Sequence, residues 1–126
     1  MIVSSLDRLI GTERDVAWGN GQSRRFLIES DGMGYTLTDT IIDAGSESLL
    51  QYNNHLEACY CIEGTGEVET LDGKVFPITV GTMYALDKHD KHYLRATTTM
   101  RLVCIFSPAL KGNESHNVTD SQESSY

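Results

Sequence analysis

The sequence predicts an all-β protein, a small barrel or sandwich, and three observations carry that prediction. Apolar residues recur mostly at period two along the chain. Gly, Asn and Asp interrupt the pattern at short intervals, as turns between short strands do. Only residues 5–10 look helical, which makes for one short N-terminal helix. There is no internal repeat.

After the helix, strands are expected at 25–29, 35–42, 48–52, 58–62, 66–71, 74–78, 83–86, 92–95 and 101–106. Asp31 to Gly34 is a turn, and Asp72-Gly73 is a strong hairpin signal. Ser107-Pro108 ends the last strand, because proline cannot continue a ladder. Alternation assigns the faces. If Glu57 points inward, so do Cys59 and Cys61. Thr36, Thr38 and Thr40 share one face, as do Leu102, Cys104 and Phe106. A polar ladder inside a small barrel is costly unless it meets a ligand or water. Past Lys111 the chain turns polar. Residues 1–116 are expected to form a single domain with a lid segment, and 117–126 a flexible tail.

At 126 residues the chain suits one domain. Ten basic against eighteen acidic residues leave a net charge of −8. That disfavours nucleic acid and anionic membranes as partners. No stretch approaches the ~20 apolar residues of a membrane helix, and the N-terminal stretch lacks the layout of a signal peptide. Three cysteines, Cys59, Cys61 and Cys104, sit in apolar runs. They argue for reduced thiols and a cytoplasmic location. The glycosylation patterns at Asn113 and Asn117 are read as chance matches.

The informative stretch runs from Gly45 to Gly64. Gly45, Gln51, Asn53, Glu57 and Gly64 fall on the spacing G-x5-H-x-H-x3-E-x6-G of a first cupin motif, with both histidines replaced. Gly73, Thr79, Gly81, Tyr84 and Lys88 follow the second, G-x5-P-x-G-x2-H-x3-N, with Tyr84 at the histidine position. The chain therefore resembles the cupins, which implies a double-stranded β-helix, a small jelly-roll barrel. Glu57 and Tyr84 are oxygen donors, and a histidine would complete a three-ligand site. His92 is preferred on strand parity, with His89 expected as a solvent-facing turn residue and His55 as a rival. Oxygen donors with one imidazole and open positions suit iron(II) or another divalent cation of similar character. Structural zinc is a poorer fit, because the cysteines lack paired spacing.

The segments from Tyr52 to Ala58, Tyr60 to Gly64, Tyr84 to His92 and Arg101 to Cys104 resemble ectoine synthase, as do Met1 to Val3 and Ser23 to Arg25. The resemblance covers nearly the whole chain to His116. It implies cyclocondensation of N-γ-acetyl-L-2,4-diaminobutyrate to ectoine with loss of water, in compatible-solute biosynthesis and osmoprotection. The implied iron ligands are Glu57, Tyr84 and His92. Tyr52, His55, Glu114 and His116 match pocket-lining or pocket-closing positions and are the implied catalytic candidates. Ser23, Thr40, Cys104 and Phe106 match substrate-binding positions. A small-molecule substrate and a homodimer are the implied partners. The chain departs from the family pattern at Gly21, where a tryptophan is usual, leaving open whether Trp18 replaces it. It departs also at Val80, at Ala109 and beyond His116. Two alternatives stay open on sequence alone: an iron-binding cupin enzyme with another small polar substrate, and a non-catalytic solute-binding cupin.

Overall fold

The computed structural model describes residues 1–114. A four-residue helix, α1 (Leu6–Leu9), buries Leu9 and packs against the first long strand. Ten strands follow: β1 (Asp15–Ala17), β2 (Gly21–Leu27), β3 (Thr36–Ile42), β4 (Glu47–Leu50), β5 (Leu56–Glu63), β6 (Gly66–Thr70), β7 (Val75–Ile78), β8 (Met83–Leu86), β9 (His92–Ala96) and β10 (Met100–Ser107). A 3-10 turn, Glu29–Asp31, links β2 to β3. No helix is long and apolar enough to cross a membrane.

The strands form two antiparallel sheets. One has the order β1-β2-β3-β10-β5-β8 and the other β4-β9-β6-β7. The expected all-β architecture with one short helix is the observed one. Most strand ends shift by a residue or two, and two larger differences stand out at the N-terminal edge. β1 was not expected: it is a three-residue edge strand, too short for alternation to register. β2 begins at Gly21, four residues before the expected start at 25. Its Ser23, Arg24 and Arg25 are all buried, so no polar-apolar alternation marks it. One side of this polar strand meets the core and the other packs under α1 and the Asp39 carboxylate.

Inward alternation holds where it was expected. Glu57, Cys59 and Cys61 on β5, Thr36, Thr38 and Thr40 on β3, and Leu102, Cys104 and Phe106 on β10 are all buried. A bulge between Arg101 and Leu102 resets the β10–β5 register. Cys104 thereby stands opposite Cys59, and Phe106 opposite Glu57. The interior is mixed: Ile42, Leu94 and Leu102 border the same internal space as Glu57, Thr40, Cys59 and Cys104.

Candidate active site

Six strands converge on one small internal cavity. β5 contributes Glu57 and Cys59, β10 Leu102 and Cys104, β3 Thr40 and Ile42, β4 Leu50, β9 Leu94, and β8 Tyr84, whose Cα pairs with Cys59. Tyr52, just past β4, and Trp18, just past β1, complete the wall. The cavity volume is about 10 Å³, near the lower limit for one water-sized occupant. A second, larger cleft of about 430 Å³ opens between β7 and β8. Phe76, Ile78, Met83 and Leu86 line it, and it is bordered by Tyr84 and His92. Tyr84 is thus a wall shared by both spaces.

The electrostatics around this cavity are unusual for a barrel core. Burial pushes the Glu57 carboxyl well above its ordinary range, and the neighbouring Cys104 thiol adds to the rise. Glu57 forms no ion pair with any Lys, Arg or His among the described residues. Burial likewise pushes the Tyr84 hydroxyl up, with Cys59 and Glu57 close enough to contribute. His92 is fully buried, and burial pushes its imidazole down, outweighing its contact with Asp90. Its Nδ1 lies 2.8 Å from the Asp90 carbonyl. A carbonyl oxygen only accepts, so Nδ1 carries the proton and Nε2 keeps its lone pair. That Nε2 is buried and has no hydrogen-bond partner among the described residues.

The expected catalytic candidates separate into two groups. Tyr52 lines the cavity and meets His92 and Phe106 edge-on, at 6.0 and 5.6 Å between centroids. Phe106 in turn meets His55 at 6.4 Å. His55 holds its Nδ1–H against the Pro108 carbonyl at 2.7 Å. With Glu114 it borders an outer pocket of about 540 Å³. Tyr52 and Phe106 thus lie in an aromatic row between that pocket and the inner cavity. His116 lies outside the described residues, as does the tail expected at 117–126. Glu114 is buried, not solvated. Its carboxylate accepts from the Lys111 and Gly112 amides at 2.8 and 2.9 Å, and Arg25 Nη2 donates to its main-chain oxygen at 2.7 Å. Burial opposes its charge, but those donors and Arg25 hold it below the ordinary range.

Of the substrate-binding candidates, Thr40 and Cys104 line the cavity and Phe106 is packed beside it. Thr40 shares a 2.8 Å hydrogen bond with Thr38. Ser23 is buried beneath, accepting from Arg25 Nε at 3.3 Å. His89 is exposed, as expected, but not idle. It adopts a left-handed backbone and holds its Nδ1–H on the Tyr52 carbonyl at 2.7 Å, fixing the loop that carries Tyr52.

Sequence reasoning missed three residues. Arg25 ties β2 to the segment carrying Glu114, a contact 89 residues long that no local pattern announces. Cys59, read as a core filler, lies with its sulfur 3.5 Å from that of Cys104. Trp18 answers the question left open at Gly21. Its indole is buried, lines the cavity, and donates to the Ile41 carbonyl at 3.3 Å. A Cβ at Gly21 would stand 1.8 Å from that same oxygen and 3.2 Å from the indole nitrogen. Only glycine at 21 leaves Trp18 its place.

The family profile described as Ectoine synthase matches residues 1–125, past His116, where the resemblance was expected to end. The L-ectoine synthase of Halalkalibacterium halodurans is 57% identical over 118 residues, spanning 93% of this chain and 92% of its own. That of Desulfatibacillum aliphaticivorans is 54% identical over 120 residues, with the same coverage. The crystal structure of ectoine synthase from P. lautus superposes with a TM-score of 0.87 at 47% identity, covering 98% of this chain and 96% of that one. An RmlC-like cupin from Shewanella frigidimarina, 23% identical with a TM-score of 0.65 over 79% of this chain and 86% of its own, shares the fold alone.

Proposed function

The chain belongs to the ectoine synthase family, and we propose that it closes N-γ-acetyl-L-2,4-diaminobutyrate into ectoine, as a lyase that holds a divalent cation on Glu57, Tyr84 and His92. One observation carries the metal reading. His92 offers a buried, neutral imidazole whose Nε2 lone pair has no partner among the described residues. The form is that of a histidine ligand with its other nitrogen fixed by a carbonyl. Glu57 supports it, since a buried carboxyl with no cationic partner must keep a proton unless a cation takes its place. The Tyr84 hydroxyl beside it is held protonated by the same environment, a situation a bound cation reverses. One imidazole and two oxygen donors fit iron(II). A cation bound there supplies Lewis-acid polarisation of a carbonyl oxygen.

The chain's own residues supply the rest. The reaction joins the substrate's α-amine to its own acetamide carbonyl, so the two ends of a flexible molecule must meet. Tyr52, Phe106 and Trp18 are rigid aromatic walls that favour the folded conformer. They also keep bulk water from the inner cavity, which disfavours return to the open amide. His55, held by Nδ1–H on the Pro108 carbonyl at the edge of the outer pocket, is the residue to which we assign the base role. Tyr52, Glu114 and His116 are assigned to proton movement and closure, with Ser23, Thr40, Cys104 and Phe106 contacting substrate. Three free, buried thiols support a cytoplasmic setting. The exposed Tyr60, Met83 and Ile105 on the outer face of the six-stranded sheet support a homodimer.

The test is product formation followed by NMR with added iron(II), alongside iron content. Wild type is expected to yield ectoine, and Glu57→Gln to lose both bound iron and turnover, by at least about a hundredfold. Equal turnover in the variant would remove the cation from the mechanism. No ectoine from the iron-loaded wild type would remove the substrate.

A further inference from the structure

We propose that Glu57, Cys59 and Cys104 form a site for a thiophilic divalent cation, of the zinc or cadmium class, that excludes occupancy of the Glu57–Tyr84–His92 set. The inference rests on the proposed metal reading only through Glu57, the residue common to both.

The ligand atoms of the three side chains all lie within 4.8 Å of one another, and all three residues are buried. The arrangement is fixed by strands and not by loops. Glu57 and Cys59 are successive inward residues of β5, and Cys104 is the residue of β10 directly opposite Cys59. Such placement leaves the ligands little freedom to misalign. The two sulfurs are 3.5 Å apart. A tetrahedral ion with metal–sulfur bonds of ~2.3 Å holds its two sulfurs about 3.8 Å apart, so loading requires a shift of only a few tenths of an ångström. The space enclosed, about 10 Å³, is of single-ion size as it stands. The Tyr84 side chain, which interacts with Cys59, borders the same space and stands where a fourth donor would come from. Two thiols and one carboxyl are a softer set than carboxylate, phenol and imidazole, and softness selects zinc or cadmium over iron(II). As the metal's bonds to the two sulfurs and to the carboxylate form, the two thiol protons and the Glu57 carboxyl proton pass to solvent.

The experiment titrates chelator-treated full-length protein with cadmium chloride and follows sulfur-to-cadmium charge-transfer absorption in the ultraviolet. The expected result is a band saturating at one ion per chain. Cys59→Ser and Cys104→Ser should each lose most of it, while Cys61→Ser, Tyr84→Phe and His92→Gln should keep it. Circular dichroism on the same samples confirms that each variant is folded, and Cys59→Val supplies a second substitution of similar volume. Cadmium loaded first should block subsequent iron uptake. Cadmium binding without the band, or a band that survives both Cys59 substitutions, overturns the proposal. Iron uptake that is indifferent to Glu57, with the cadmium band intact, overturns the iron assignment and with it the mutual exclusion, and leaves the Glu57–Cys59–Cys104 site itself standing.

Discussion

A methyl group added at Gly21 would have to share space with the Ile41 carbonyl, 1.8 Å away, at a backbone φ of +155°. The two nearest atoms are the oxygen and carbon of that carbonyl, main chain with no flexible end to yield. Gly21→Ala is expected to destabilise the fold by about 1–3 kcal/mol, the cost of overpacking at a strained position, read as a lower thermal midpoint. The effect should reach the cavity too, because the displaced oxygen is the one that fixes the Trp18 indole. Glu57 and Tyr84 were legible in the sequence because their motif spacing and strand parity agree. Trp18 was not, because its place depends on a missing side chain three positions on. Arg25 was not, because nothing local distinguishes a buried arginine from an exposed one until its distant carbonyl partner is known.

Among the elements, β2, β3 and β10 are tied together by one carboxylate. Asp39 accepts from Arg24 Nη2 at 2.6 Å and from Arg101 Nε and Nη2 at 2.9 and 2.6 Å. Burial opposes its charge, yet the two guanidinium groups hold it below the ordinary range. Asp39→Asn leaves two cations facing each other across the centre of the six-stranded sheet. The expected cost is about 3 kcal/mol, measured by denaturant titration. Alternation made β5 and β10 legible, since each has one face buried and residues exposed on the other, and the Thr36-Thr38-Thr40 repeat marked β3 although neither of its faces is exposed. β1 escaped because three residues carry too little period. The start of β2 escaped because both of its faces are covered, and a strand buried on two sides by charge partners has no hydrophobic stripe to read.

For the molecule as a whole, two kinds of buried carboxyl set opposite pH dependences. Asp39, Asp31 and Glu114 have folded values below their ordinary ones. Their contribution is present above about pH 4 and is lost as pH falls through the folded values. Glu57 runs the other way. Its folded value lies above its ordinary 4.5, so the stability linked to it is full below that pH and is lost as pH rises through the folded value. Metal-free protein is therefore expected to have a stability maximum on the acid side of neutrality. Glu57→Gln should flatten the decline above it, and a saturating divalent cation should do the same in the wild type. Thermal midpoints across a pH series check both. A decline that persists unchanged in Glu57→Gln would place its origin elsewhere.

The closeness of Gly21 to Ile41 has a consequence for any attempt to redraw this wall. A side chain at 21 needs the volume of the Ile41 carbonyl, the same oxygen that anchors the Trp18 indole. Moving the indole from 18 to 21 therefore takes a displaced main chain as well as two exchanged side chains, and neither replacement alone can deliver it.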